Sequence, residues 1–66
     1  MELTVNGEVH VINPGESVSS VIQRLGLNAQ LVAVELNRQI VRRTEFDTRI
    51  LEPGDRLEVV EFVGGG

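Results

Sequence analysis

Three consecutive glycines, Gly64-Gly65-Gly66, stand after an apolar run, Leu57-Glu58-Val59-Val60-Glu61-Phe62, that reads as a strand. The group they present for chemistry is the terminal carboxylate of Gly66, carried on backbone without side chains. Glycine lacks Cβ, so such a tail threads a channel too narrow for any other residue. Three extended residues reach ~10 Å, enough to enter a partner's active site while a folded body stays outside. At neutral pH that carboxylate is an anion and a very poor electrophile. Attack on the α-phosphate of ATP converts it to an acyl-adenylate with AMP as leaving group. Sulfur delivered to the carbonyl then gives a thiocarboxylate, and an amine gives a conjugate. Both activated species hydrolyse in water, so the partner must enclose them, which a slim tail permits. A glycine run equally suits a linker or a frayed end. The tail alone does not choose.

No other constellation competes for catalysis. His10 is the single histidine and sits in a strand-like stretch, with no Ser/His/Asp signature around it. Ser17, Ser19 and Ser20 read as the cap and outer face of a helix. The acidic residues are scattered, none in a D-x-D or similar ligand pattern. No G-x-G-x-x-G or phosphate-loop motif occurs, and the glycine tail has no helix after it to cradle phosphate. With no cysteine in the chain, any sulfur it carries must sit at the terminus.

The composition narrows the partners. Six arginines, no lysine and ten carboxylates give a net charge of −4. Phosphate backbones repel such a surface, and only Phe46 and Phe62 are available to stack on bases, so nucleic-acid binding is not expected. Arg42-Arg43 is the sole basic cluster and reads as a solvated strand end. An acidic carrier is steered instead toward basic docking surfaces. The absence of lysine removes every side-chain amine that would accept an isopeptide bond. No apolar stretch approaches a membrane span and no leader opens the chain, so a cytoplasmic protein with no membrane association is expected.

The elements that must hold the tail out are legible from period and punctuation. Glu2-Leu3-Thr4-Val5 alternates polar and apolar, Asn6-Gly7 interrupts, and Glu8-Val9-His10-Val11-Ile12 follows: a hairpin, because a type I′ turn needs φ > 0 at both central residues. Asn13-Pro14-Gly15 ends the second strand. Ser17 caps a helix whose stripe is Val18, Val21, Ile22 and Leu25, roughly three turns closed by Gly26. Leu31 to Leu36 is too apolar for an edge and reads as a central strand. Asn37-Arg38 turns it into Gln39-Ile40-Val41. From Arg42 to Arg49 there is no clean period, and Phe46 plugs the core from a loop or single helical turn. Pro53-Gly54 fits a type II turn before the last strand.

Hairpin, one helix, then further strands makes an α+β domain with one helix packed across one face of a four- to five-stranded mixed sheet. This is the ubiquitin-like β-grasp arrangement. Residues 1–63 form the domain and 64–66 the tail. In the last strand Leu57 and Val59 share one face, Val60 and Phe62 the other. If the first pair packs under the helix, Val60 and Phe62 lie uncovered beside the tail, and with Val63 they form a docking site for the enzyme that receives it. The alternative is a sheet that curls and buries one of them.

The chain resembles the sulfur carrier proteins of thiamine biosynthesis, the ThiS family. The residues that carry the resemblance are Leu3-Thr4-Val5-Asn6-Gly7, Val32-Ala33-Val34-Glu35-Leu36-Asn37, Ile40-Val41-Arg42, Pro53-Gly54-Asp55 and Phe62-Val63-Gly64-Gly65-Gly66. The resemblance implies a protein co-substrate with no bound cofactor, rather than an enzyme. Gly66 would be adenylated by an E1-like adenylyltransferase using ATP and then converted to the thiocarboxylate. The sulfur would come from a cysteine desulfurase or another donor, and thiazole synthase would receive it. Gly65 and Gly66 match the family's paired glycines, and Gly64 lengthens the reach. The competing readings are a carrier for molybdopterin synthase or another acceptor, a ubiquitin-like modifier of other proteins, and an interaction domain with an inert tail.

Overall fold

The computed structural model describes residues 1–62. Five strands and one α-helix follow one another as β1 (Glu2–Val5), β2 (Glu8–Val11), α1 (Val18–Arg24), β3 (Val32–Leu36), β4 (Gln39–Val41) and β5 (Arg56–Glu61). Short 3-10 turns at Ala29–Leu31 and Arg43–Glu45 fill two of the connections. The strands form one mixed sheet in the order β2-β1-β5-β3-β4. Only β1 and β5 run parallel; the other pairs are antiparallel. The last strand in sequence therefore lies at the centre of the sheet, the β-grasp arrangement expected from the order of elements.

Both hairpins turn as their residues dictate. Asn6 and Gly7 have φ of 51° and 82°, the pair of positive values a type I′ turn requires. Asn37 and Arg38 repeat it with 52° and 69°, although Arg38 has a Cβ that this region disfavours. Helix α1 starts at Ser17, whose hydroxyl accepts from the Ser20 amide at 3.2 Å. It is seven residues long, two turns rather than the three that the apolar stripe suggests. Leu25 caps its C-terminus and is half-buried, so the buried stripe consists of Val18, Val21 and Ile22. The chain leaves the helix there because Gly26 takes the left-handed conformation, φ 74°.

The core lies between α1 and one face of the sheet. Leu3 and Val5 of β1, Val32, Val34 and Leu36 of β3, and Leu57 and Val59 of β5 meet the helix residues there. Phe46 closes one end; it caps the second 3-10 turn and is 3% exposed, so the aperiodic segment plugs the core as expected. Leu31 belongs to the first 3-10 turn rather than to β3 and is 40% exposed. No side-chain nitrogen or oxygen is left buried without a partner among the described residues.

Candidate functional site

The placement of β5 decides what the tail can do. Two asparagines on the flanking hairpins hold it. The side-chain amide of Asn6 donates to the Val59 carbonyl at 3.1 Å, and the Val59 amide donates back to the Asn6 Oδ1 at 2.8 Å. This reciprocal pair extends the short parallel ladder between β1 and β5 by the width of a residue. At the start of the strand, Asn37 donates to the Asp55 carboxylate at 3.0 Å while its Oδ1 accepts from the Arg56 amide at 3.0 Å. The strand is gripped at its start and its middle by side chains whose other task is to make the turns. Its exit is fixed too: the Phe62 amide donates to the Leu31 carbonyl at 2.7 Å. The root of the tail is thus an ordered part of the sheet.

Leu57 and Val59 are buried under α1, while Val60 and Phe62 are 58% and 56% exposed on the uncovered face. The sheet does not curl over either of them. Val63, the third residue of the expected docking set, and the tail glycines Gly64, Gly65 and Gly66 lie outside the described residues, as does the expected boundary between domain and tail.

The uncovered face brings further residues together. Register pairs Val60 with Ala33, Glu58 with Glu35, and Glu35 in turn with Ile40. Ile40 is 79% exposed and joins Ala33 and Val60 around a shallow apolar depression. Arg42 and Phe62 line its continuation toward the tail. Sequence reasoning placed Val60 and Phe62 here but missed Ile40. The signal lay in its flanks, Gln39 and Val41: with Val41 in the core, period two puts Ile40 outside. Val9 and Val11 of β2, also exposed, form a separate apolar strip on the opposite edge of the same face.

Arg43 departs from the expected solvated strand end. Its guanidinium donates to the carbonyls of Ala29 (2.9 Å) and Val32 (3.1 Å), tying the second 3-10 turn to the entry of β3. His10 is half-exposed on β2 opposite Leu3, beside Leu25 and Leu27, with Glu8 the other ionisable residue lining that hollow. Among the described residues no group of three or more His, Cys, Asp or Glu is arranged to hold a metal ion. No helix there is long and apolar enough to cross a membrane.

The geometry is a small sheet-and-helix domain whose last strand exits beside an exposed apolar patch, and known proteins share its fold. A crystal structure of the thiamine biosynthesis protein ThiS from Geobacter metallireducens superposes with a TM-score of 0.84 at 35% identity, covering all of both chains. Proteins named thiazole synthase from Magnetococcus marinus and Paramagnetospirillum magneticum are each 36% identical over 66 residues. The chain spans 20% of the length of those two relatives. The model of the ThiS family matches residues 1–66 in full. With both the profile and the fold matched end to end, the chain belongs to the ThiS family.

Proposed function

We propose that this chain carries sulfur on the carboxyl group of Gly66 and delivers it to a thiazole synthase. The observation that carries the reading is the anchored exit of β5: the Phe62–Leu31 hydrogen bond holds the root of a three-glycine tail beside an exposed apolar patch. Four residues, Val63 to Gly66, follow the anchor and extend ~14 Å at most. A partner docked on Val60, Phe62 and Val63 would therefore receive the carboxylate within that reach of the anchor.

An ATP-dependent, E1-like adenylyltransferase acts first. A Gly66 carboxylate oxygen bonds to the α-phosphorus of ATP and pyrophosphate leaves. A sulfur nucleophile then attacks the carbonyl carbon and AMP leaves. Sulfide from a donor gives the thiocarboxylate directly. The persulfide that a desulfurase forms from cysteine gives instead an acyl disulfide, whose S–S bond an external thiol reduces, leaving as a disulfide. The product is a thiocarboxylate, whose sulfur the acceptor enzyme uses. In this sequence the carrier supplies no catalytic side chain. Gly64 and Gly65 thread the partner's channel, since any Cβ there would widen the tail. The carrier binds no cofactor of its own; ATP belongs to the activating partner. Cytoplasmic location is part of the same proposal. The thiazole synthase assignment draws on the two relatives of that name, each of which holds a segment homologous to this whole chain.

Deleting Gly66, or substituting Gly66→Phe, should abolish ATP–pyrophosphate exchange by the activating enzyme while leaving the circular dichroism spectrum unchanged. Exchange that persists in either variant refutes the reading. In the same assay Phe62→Ala should weaken exchange through KM, as loss of a docking contact does, with kcat preserved.

A further inference from the structure

The uncovered face holds a feature that the fold alone does not require. Glu35 and Glu58 stand directly opposite each other on β3 and β5, both exposed. Like charges in directly opposed positions destabilise a sheet. Among the described residues, the one side-chain ion pair is Arg24–Glu16, on the helix side, so neither carboxylate is paired there. The cations that share their face are Arg56, two residues before Glu58 on β5, and Arg42, at the tail end of the apolar depression. Neither approaches to ion-pair distance. The two carboxylates border Ile40, Val60 and Ala33 in the same depression. An apolar patch thus has two carboxylates at one end, with the one cation Arg56 beyond them, and the positive charge of Arg42 at the end where the tail leaves.

We propose that this charge polarity orients the carrier on the thiazole synthase: an arginine of the synthase, flanked by apolar side chains, seats between Glu35 and Glu58. The inference rests on the functional reading above and adds the chemistry of the docking surface. Arginine fits because its planar guanidinium offers donors to both carboxylates while its face lies against Ile40 and Val60. The synthase is the occupant because relatives of that name hold a segment homologous to this chain within their own polypeptide. Docking reversed end for end would bring the synthase cation against Arg42 and turn Phe62 and the tail away from the active site. The apolar contacts supply adhesion, and the carboxylate pair supplies direction.

The test uses the full-length chain and the thiazole synthase of the same organism, with binding measured by calorimetry at low and high salt. Glu35→Gln/Glu58→Gln should bind about tenfold more weakly at low salt, with a flatter salt dependence. The same variant should melt about 2–5 °C higher than the wild type, because the repulsion is gone. Unchanged affinity and salt dependence, with wild-type binding intact, overturns this inference alone. So does a loss of affinity accompanied by a lower melting temperature, which marks a structural role. A wild-type chain that does not bind the synthase overturns both this inference and the proposed partner.

Discussion

Single side chains in this small domain do two jobs each. Asn6 and Asn37 make the tight turns and also clamp the central strand. Glu16 works similarly ahead of the helix. Its carboxylate accepts from the Asn13 amide at 2.7 Å, the Ser20 hydroxyl at 3.2 Å and the Arg24 guanidinium at 2.6 Å. Arg24 reaches on to the Val11 carbonyl at 3.3 Å, so the network ties the end of β2 to α1. The Asn13 amide foremost, with Arg24 and Ser20 adding to it, holds the Glu16 carboxyl below its ordinary value of 4.5, against the opposing effect of desolvation. A folded-state value below the unfolded one stabilises the fold above the ordinary value, and that contribution disappears as the pH falls through the lowered one. Urea midpoints followed on acidification from neutral pH should therefore fall more steeply for the wild type than for Glu16→Gln. Parallel curves would show that the network contributes nothing to acid stability.

At the scale of elements, helix α1 is the test of what holds the domain together. Two turns of a Val/Ile-rich segment do not persist in water by propensity, so packing must hold them. Val21 is 2% exposed and should cost about 2–4 kcal/mol as alanine, through lost burial and a cavity. Half-buried Leu25 should cost about half as much, and chemical denaturation of the two variants distinguishes them. Equal losses would mean that the helix extends through Leu25. The sequence made most of this legible. Asn6-Gly7, Asn37-Arg38 and Pro53-Gly54 mark turns through their backbone preferences, and alternation marks the strands. Gly54 takes φ 82°, as its position in a type II turn demands. The helix was overlong because Leu25 continues the apolar stripe in sequence, yet Gly26 turns the chain one residue later. Leu31 looked like a strand residue because an apolar run does not show where a 3-10 turn ends and a strand begins.

At the scale of the whole molecule, the fold is a holder for its last strand. Putting β5 between β1 and β3 gives that strand hydrogen-bonded neighbours on both sides, β1 at its start and β3 along its length as far as the tail root. Which residues share the open face with Val60 and Phe62 follows from the alternation of β5 and was readable in advance. That Glu35 faces Glu58 was not, because it depends on the register between strands more than twenty residues apart in sequence. The glycines themselves were the plainest signal in the chain, and the family match over residues 1–66 includes them. The central claim concerns one atom of that tail. Intact-mass spectrometry of the protein purified from thiamine-starved cells measures it directly: a species with one oxygen replaced by sulfur is expected, with fragmentation placing the change on Gly66. A protein whose entire population keeps its unmodified mass under that starvation, in cells that still make thiamine, would contradict the account.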